Sequence, residues 1–315
     1  MKNIKLVIPV FNEASVIVAN LNSIVNQMSL LQDIAWKILL VDDGSNDGLQ
    51  AELQKHFVLG KAIHYLKLNR NFGKEAAISA GLANVQGSDA VIVMDSDLQH
   101  PPQLIPDMLA LWQQGNEVVE ACKESRGKEP LVKGLGARVF YKLFSYCAGI
   151  NINRQSDFKL LDRKVIDFYN NLPEKDRFFR GLIHWMHFPT AQVYFDVPES
   201  TRAHSGWSTW SLARYAIRSV TSFTSFPLQI VTVCGGLTFL LSLVLGGIAI
   251  SDKLSGRALD GFSTVILLIL IIGSVLMFSL GLIGIYIARI YDEVKRRPAY
   301  IIDYNASVIK ELDEK

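Results

Sequence analysis

Two stretches of this chain, Leu228 to Ile250 and Phe262 to Ala288, carry no charged residue. About 20 apolar residues in a helix cross the hydrocarbon layer of a bilayer, and both stretches exceed that. A pair of buried core helices is the ordinary alternative; length and lack of charge argue against it. The intervening SDKLSGRALDG is a short polar connection, so the chain is expected to cross and return. Arg214 and Arg218 precede the first span, Arg289, Lys295, Arg296 and Arg297 follow the second, and the connection offers Lys253 and Arg257. Positive charge favours the cytoplasmic side, so a multi-pass protein of the inner (plasma) membrane is expected, with both flanking regions in the cytoplasm.

Residues 1 to about 200 have a different texture. KLVIPVF (5–11), KILLVDD (37–43), HYLKL (64–68) and AVIVMDSD (90–97) read as strands, while 14–32, 47–58 and 74–86 carry helix-period apolar residues. Strand and helix in alternation predict an α/β fold, a mostly parallel sheet with helices on both faces. The opening MKNIKLVIPVFNE is broken by Pro9, Asn12 and Glu13 well short of a signal-peptide core, so no secretion is expected from it. A formal net charge of +2 on 315 residues argues against a nucleic-acid partner. The cysteines, Cys122, Cys147 and Cys234, lack zinc-type spacing and support no disulfide framework; reduced thiols in a cytosol fit them.

In a parallel sheet of this kind, ligands sit beyond the carboxyl ends of the strands. The polar clusters fall there: Pro9, Asn12 and Glu13 in PVFNE, Asp42 and Asp43 in VDDGSNDG, Lys74 in NRNFGKEAAISAGL, and Asp95, Ser96 and Asp97 in DSDLQHPP. Each alone reads equally as a turn. Their order changes that reading. If the strand through Met94 stays extended, Asp95 and Asp97 leave it on one side, and two anions held that close call for a cation.

The four motifs resemble those of the family 2 glycosyltransferases with a GT-A, Rossmann-like fold, and within them the polyprenyl-phosphate glycosyltransferases, which include bactoprenol glucosyltransferases and dolichol-phosphate mannose synthase. The likeness continues through SDFKLLDR (156–163), EKDRFFRGLIHWMHF (174–188) and TSFTSFPLQI (221–230) to the two apolar segments. It implies that Asp95 and Asp97 hold Mg²⁺ or Mn²⁺ on the diphosphate of a UDP-sugar, where a hard cation stabilises the charge of the leaving group. It implies that Pro9, Asn12, Glu13, Asp42, Asp43 and Ser96 line the nucleotide-sugar site. Lys74, after Gly73, stands where a helix start favours phosphate. Asp157 is the catalytic aspartate by this likeness, beside Asp97; a salt bridge to Arg154 or Lys159 is its ordinary alternative.

The acceptor half is carried by KESRGKEPLVKGLGARVFYKL (123–143), whose Arg126 and Arg138 suit a lipid phosphate, and by Arg202. RAHSGWS (202–208) departs from the family's Arg-x-x-Gly-x-Ser-Lys-Trp pattern, with Gly206 where Lys is common. Trp207, Trp210, Tyr215 and Phe223, interleaved with Arg214 and Arg218, suit a helix lying in the membrane interface. The expected organisation is therefore a catalytic domain over 1–205, an interfacial helix over 206–227, spans over 228–250 and 262–288, and a cytoplasmic tail over 289–315. The expected activity is inverting transfer of a hexose, most readily glucose, from a UDP-sugar to undecaprenyl phosphate, yielding a lipid-linked sugar of the cell envelope. A mannose synthase using GDP-mannose and a non-catalytic membrane partner that binds the lipid carrier are the alternatives; a processive polysaccharide synthase lacks its QxxRW motif here. Gly235, Gly236, Gly246, Gly247, Gly281 and Gly284 would permit close helix packing, within one chain or in a homo-oligomer.

Overall fold

The computed structural model describes residues 1–31, 34–123, 155–175, 177–195, 226–255 and 261–309. They divide into two compact units, Met1–Ser208 with Pro298–Lys315, and Thr209–Arg297.

The first unit is built on a seven-stranded sheet. Strands β1 (Lys2–Val10), β2 (Ile34–Asp42), β3 (Ile63–Lys67) and β4 (Ala90–Val93) run parallel. Their connections hold helices α1 (Ile17–Ser29), α2 (Leu49–His56) and α3 (Lys74–Ala83). After a 3-10 turn at Pro102–Leu104 come α4 (Ile105–Gln113), β5 (Val118–Lys123), β6 (Gln155–Asp162), α5 (Arg163–Asn171), α6 (Phe179–Trp185) and β7 (Thr190–Phe195). The strand order is β3-β2-β1-β4-β6-β5-β7, with β6 antiparallel to both of its neighbours. A mostly parallel α/β sheet is what the alternating pattern predicts.

Side-chain alternation accounts for the layers. Ile4, Leu6, Ile8 and Val10 point to one face of β1 and join Ile17, Leu21, Ile24 and Met28, the helix-spaced buried stripe of α1. Val7, on the opposite face, meets α3 so closely that a Cβ at Gly81 would stand 2.3 Å from Val7 Cγ1. Helices thus cover both faces, and β1, β3, β4, β5 and β6 bury all their apolar residues.

Register then decides what meets at the carboxyl edge. Val10 lies beside Asp42 and Asp42 beside Lys67, so the loops after β1, β2 and β3 leave the sheet at one level. β6 runs the other way, so its first residues arrive at that same edge. With Lys159 opposite Val93, Asp157 sits two residues beyond the end of β4, level with Asp95. At the far edge of the sheet, residues 301–308 lie along the outside of β3 through antiparallel bridges Tyr65–Val308 and Leu68–Ile302.

The second unit contains helices α7 (Phe226–Leu254) and α8 (Phe262–Val294). Among the described residues one stretch, Ile271–Val294, has both the length and the apolar composition to cross a bilayer, with a mean hydropathy of 2.2 and no part of it buried. Met277, Phe278 and Leu280 are exposed along it, a surface that water disfavours. The corresponding described stretch of α7, Val231–Leu245, is shorter. The described residues therefore carry one of the two expected spans by this measure. The expected interfacial helix over 206–227 lies almost wholly outside them.

Candidate active site

The loop after β1 is shaped by its neighbour after β2. Asn12 takes a left-handed backbone, φ 52°, and its N–H donates to Ser45 Oγ at 2.9 Å while its own Oδ1 accepts Asn46 N–H at 3.0 Å. Asp42 is fully buried: Oδ1 accepts Ser45 N–H at 2.7 Å and Oδ2 accepts the hydroxyl of Tyr65. Burial and that hydrogen bond to a carboxylate push the Tyr65 phenol well above its ordinary value. Asp43 closes the next loop, accepting Phe72 N–H at 2.7 Å and Gly73 N–H at 2.9 Å. Burial raises its pKa despite those two bonds. Gly44 makes the approach possible, because at φ 74° a Cβ there would stand 2.4 Å from the carbonyl carbon of Arg70. Both aspartates thus spend their oxygens on holding the loops that wall the crevice.

The DSD segment differs from its expected geometry. β4 ends at Val93, and Ser96–Asp97 form a turn with Leu98 left-handed at φ 55°, so side-chain parity along an extended strand does not apply to Asp95 and Asp97. The turn is pinned from within. Gln99 N–H donates to Asp97 Oδ1 at 3.1 Å, Asn20 Nδ2 to the carbonyl of Ser96 at 2.7 Å, and the Ser96 hydroxyl to Glu13. His100 is the residue the motif reading passed over. It is buried, stacked on Phe158 with ring centroids 5.3 Å apart, and its Nδ1 accepts Asp95 N–H at 3.2 Å. Burial depresses its pKa, so the ring is neutral and suited to accept that bond.

Four charged side chains converge on this turn. Lys74, the first residue of α3 after Gly73 at φ 99°, reaches both Asp95 Oδ1 and Asp157 Oδ2 at 2.6 Å. Arg180 of α6 forks onto Asp157, Nε to Oδ1 at 2.5 Å and an Nη to Oδ2 at 2.8 Å. Asp157 is 6% exposed, and although burial alone would raise its pKa, Arg180 and Lys74 hold its carboxyl well below the usual range. Beneath lies Glu75, which accepts Phe179 N–H at 2.8 Å; burial and the Asp157 carboxylate push it up to about 7. Lys123, at the end of β5, belongs to the same field, its pKa lowered by burial and then by Arg180.

The ordinary alternative for Asp157, an ion pair with Arg154 or Lys159, is not met at Lys159. Lys159 points to Glu120 on β5 and forms a buried pair, 0% and 2% exposed, and Arg154 lies outside the described residues. Asp157 takes Lys74 and Arg180 instead. Arg180 was legible within EKDRFFRGL as a motif but not as a partner, because its meeting with Asp157 depends on where α6 packs against β6. Arg126, Arg138 and Arg202 lie outside the described residues, as do Cys147 and the RAHSGWS loop. A cavity of about 450 Å³ lined by Glu120, His184, His187, Phe188, Thr190 and Gln192 shares no lining residue with the Asp95 cluster.

Among the described residues no group of three or more His, Cys, Asp or Glu side chains forms a metal cage. Two carboxylates with the remaining positions left to water and phosphate oxygens are the donor set that suits Mg²⁺ or Mn²⁺, and Asp95 and Asp97 fit it.

The sequence profile described as Glycosyl transferase family 2 matches residues 5–168. The uncharacterized glycosyltransferase sll0501 of Synechocystis is 36% identical over 95% of this chain and 94% of its own length. The SfII prophage-derived bactoprenol glucosyl transferase of Shigella flexneri is 35% identical over 95% and 97%, and the prophage bactoprenol glucosyl transferase homolog of Escherichia coli 33% identical over 95% and 98%. Among solved structures, glucosyl-3-phosphoglycerate synthase of Mycobacterium tuberculosis, in complex with Mn²⁺, UDP-Glc and phosphoglyceric acid, aligns with a TM-score of 0.46 at 22% identity over 70% of this chain and 79% of that one. With the family profile covering most of the sheet together with Lys74, Asp95 and Asp157, and bactoprenol glucosyl transferases matching nearly end to end, this chain belongs to glycosyl transferase family 2, in its bactoprenol glucosyl transferase-like branch, and is a glycosyltransferase.

Proposed function

We propose that the protein transfers glucose from UDP-glucose to undecaprenyl phosphate, or a close polyprenyl phosphate, at the cytoplasmic face of the membrane, with inversion at the anomeric carbon. The observation that carries this reading is the junction at Asp157: one ionised carboxylate aims Arg180 and Lys74 at the crevice beside Asp95. Two cations and a carboxylate pair at one strand edge suit a reaction in which both donor and acceptor bring phosphates.

Pro9, Asn12, Glu13, Asp42, Asp43 and Ser96 are assigned to the nucleotide-sugar side. Within it, Asp42 and Asp43 act by shaping the loops. Asp95 and Asp97 would hold the divalent cation, which when bound stabilises charge on the departing diphosphate. Lys74 supplies a fixed positive charge at that place, and Arg180 offers guanidinium N–H groups toward the acceptor phosphate. A phosphate monoester is already largely ionised near neutral pH, so no base is required of the protein. Asp157, clamped by two cations, orients them rather than taking a proton. Arg126, Arg138 and Arg202 are assigned to the acceptor phosphate, and the two apolar segments to a pair of membrane spans that keep the domain at the lipid surface.

The test is a transfer assay on the purified full-length chain in detergent, with undecaprenyl phosphate, Mg²⁺ or Mn²⁺, and labelled UDP-glucose or GDP-mannose. Label is expected in the lipid from UDP-glucose alone, abolished by chelation and by Asp95→Asn. Transfer from GDP-mannose would overturn the donor assignment. Binding of the lipid phosphate with no release of nucleotide would overturn catalysis.

A further inference from the structure

The outer edge of β3 should present unpaired backbone groups, since β3 ends the sheet. It does not, because the chain after α8 returns to it. Tyr65 N–H donates to the carbonyl of Val308 at 3.2 Å and Val308 N–H to that of Tyr65 at 2.7 Å. Asp303 N–H donates to the carbonyl of Lys67 at 2.8 Å, Lys67 N–H to Ser307 Oγ at 3.0 Å, and Asn69 N–H to the carbonyl of Ile301 at 3.0 Å. From α2, Gln50 Nε2 reaches the carbonyl of Ala306 at 2.8 Å. The strap carries its own turn: Asp303 Oδ1 accepts Asn305 and Ala306 N–H at 3.1 and 3.2 Å, and its carbonyl accepts the Ser307 hydroxyl at 2.7 Å. Val308 also packs against the core.

The residue the strap clasps most directly, Tyr65, is the one whose side chain enters the crevice wall. Its hydroxyl holds Asp42, Asp42 holds Ser45, and Ser45 holds Asn12. A continuous line of hydrogen bonds therefore runs from the C-terminal strap, through one tyrosine, to the loop that carries Asn12. Tyr65 is fully buried and Asp42 has both oxygens engaged, so the line has no slack partner along it. Only Lys295–Tyr300 separate the strap from the end of α8 in the chain.

We infer that residues 301–308 are a positioning element of the donor site, setting nucleotide affinity through Tyr65 and Asp42; this rests on the assignment of the Asn12–Asp42 wall to the nucleotide. Tyr65 is a positioning residue, and the strap acts through it rather than by touching the ligand. The strap is thus part of the site's construction, although it is more than 200 residues from Asp42 in sequence, Val308 standing at 308 and Asp42 at 42.

The experiment is calorimetric titration of UDP, with Mn²⁺, into the full-length protein, a variant ending at Arg297, Tyr65→Phe, and the two combined. Loss of the Tyr65 bond to the Asp42 carboxylate predicts about tenfold weaker UDP binding in Tyr65→Phe, and truncation, which acts through the same side chain, is expected to match it. The combined variant is expected to be no weaker than the weaker single one, because the strap acts through the Tyr65–Asp42 bond that Tyr65→Phe already removes. Asp303→Ala, which leaves residues 1–297 intact, is the second variant: it should weaken UDP binding in the wild-type background and leave it unchanged in Tyr65→Phe. A peptide of residues 298–315 added to the truncated protein should restore affinity. UDP affinity within twofold of wild type after truncation, or additive losses in the combined variant, would overturn the inference while the proposed function stands. Failure of the full-length protein to bind UDP at all would overturn the nucleotide assignment and this inference with it.

Discussion

Replacing Asp157 with Asn separates the two roles an aspartate can have beside a phosphate nucleophile. The substitution keeps the shape, removes the charge, and turns an NH₂ toward one of the two nitrogens of the Arg180 fork, now 2.5 and 2.8 Å from the carboxylate. A hydrogen bond to a charged group contributes about 1.5–3 kcal/mol. Arg180 is 29% exposed and can turn partly to water, and Lys74 keeps Asp95, so the lower half of that range applies, about 2 kcal/mol. For a domain of this size that lowers the melting temperature by roughly 4–8 °C. The sign with pH follows from the depressed pKa of Asp157: its contribution is present above the unfolded value, about 3.9, and is lost as pH falls through the folded one. The deficit of Asp157→Asn should be full at pH 7 and shrink toward pH 3. In turnover, misaiming Arg180 and Lys74 should cost on the order of 100-fold in kcat/KM. The pH–rate profile decides between the roles. An acid limb near pH 6 is expected from the acceptor phosphate, whose second ionisation falls at about 6, and the variant should keep that limb at a lower plateau. Disappearance of the limb in Asp157→Asn would mean that Asp157 itself titrates as the base, and the positioning argument would be wrong.

Three other perturbations test the framework. Lys159→Met should destabilise the protein by about 3–5 kcal/mol because it strands the buried Glu120 carboxylate, and adding Glu120→Leu should recover most of that in thermal melts. Glu75, pushed up to about 7, contributes stability that is present below its unfolded pKa of about 4.3 and is lost as pH rises through 7, so Glu75→Gln should flatten the decline in melting temperature between pH 5 and 8. Gly44→Ala must move the Arg70 backbone or abandon φ 74°, at a cost of about 1–3 kcal/mol, and UDP titration should show weaker binding alongside the lower melting temperature.

The sheet was legible because its signals are local. Apolar runs with helix-period segments between them mark β1 to β4 and α1 to α3 to within a few residues. The DSD segment was misjudged as geometry, since β4 stops at Val93 and Leu98 turns left-handed, with His100 packed against Phe158 and the Ser96 hydroxyl on Glu13. Arg180, Glu75 and His100 left no sequence signal strong enough to assign them, because an arginine near an aromatic pair or a histidine before prolines has many ordinary uses.

Residue order by itself determined the α/β domain, the placement of carboxylates at strand ends and the apolar segments, because period and composition express themselves within a few turns of chain. Tertiary structure alone decided that β6 would run antiparallel into the sheet, which carries Asp157 to the level of Asp95 and lets Lys74 bridge them. It also decided that the chain's last described segment would clasp β3 and, through Tyr65, the buried Asp42. Both are pairings between strands remote in sequence, and such pairings depend on which edge is open and in what register, quantities that no local pattern encodes.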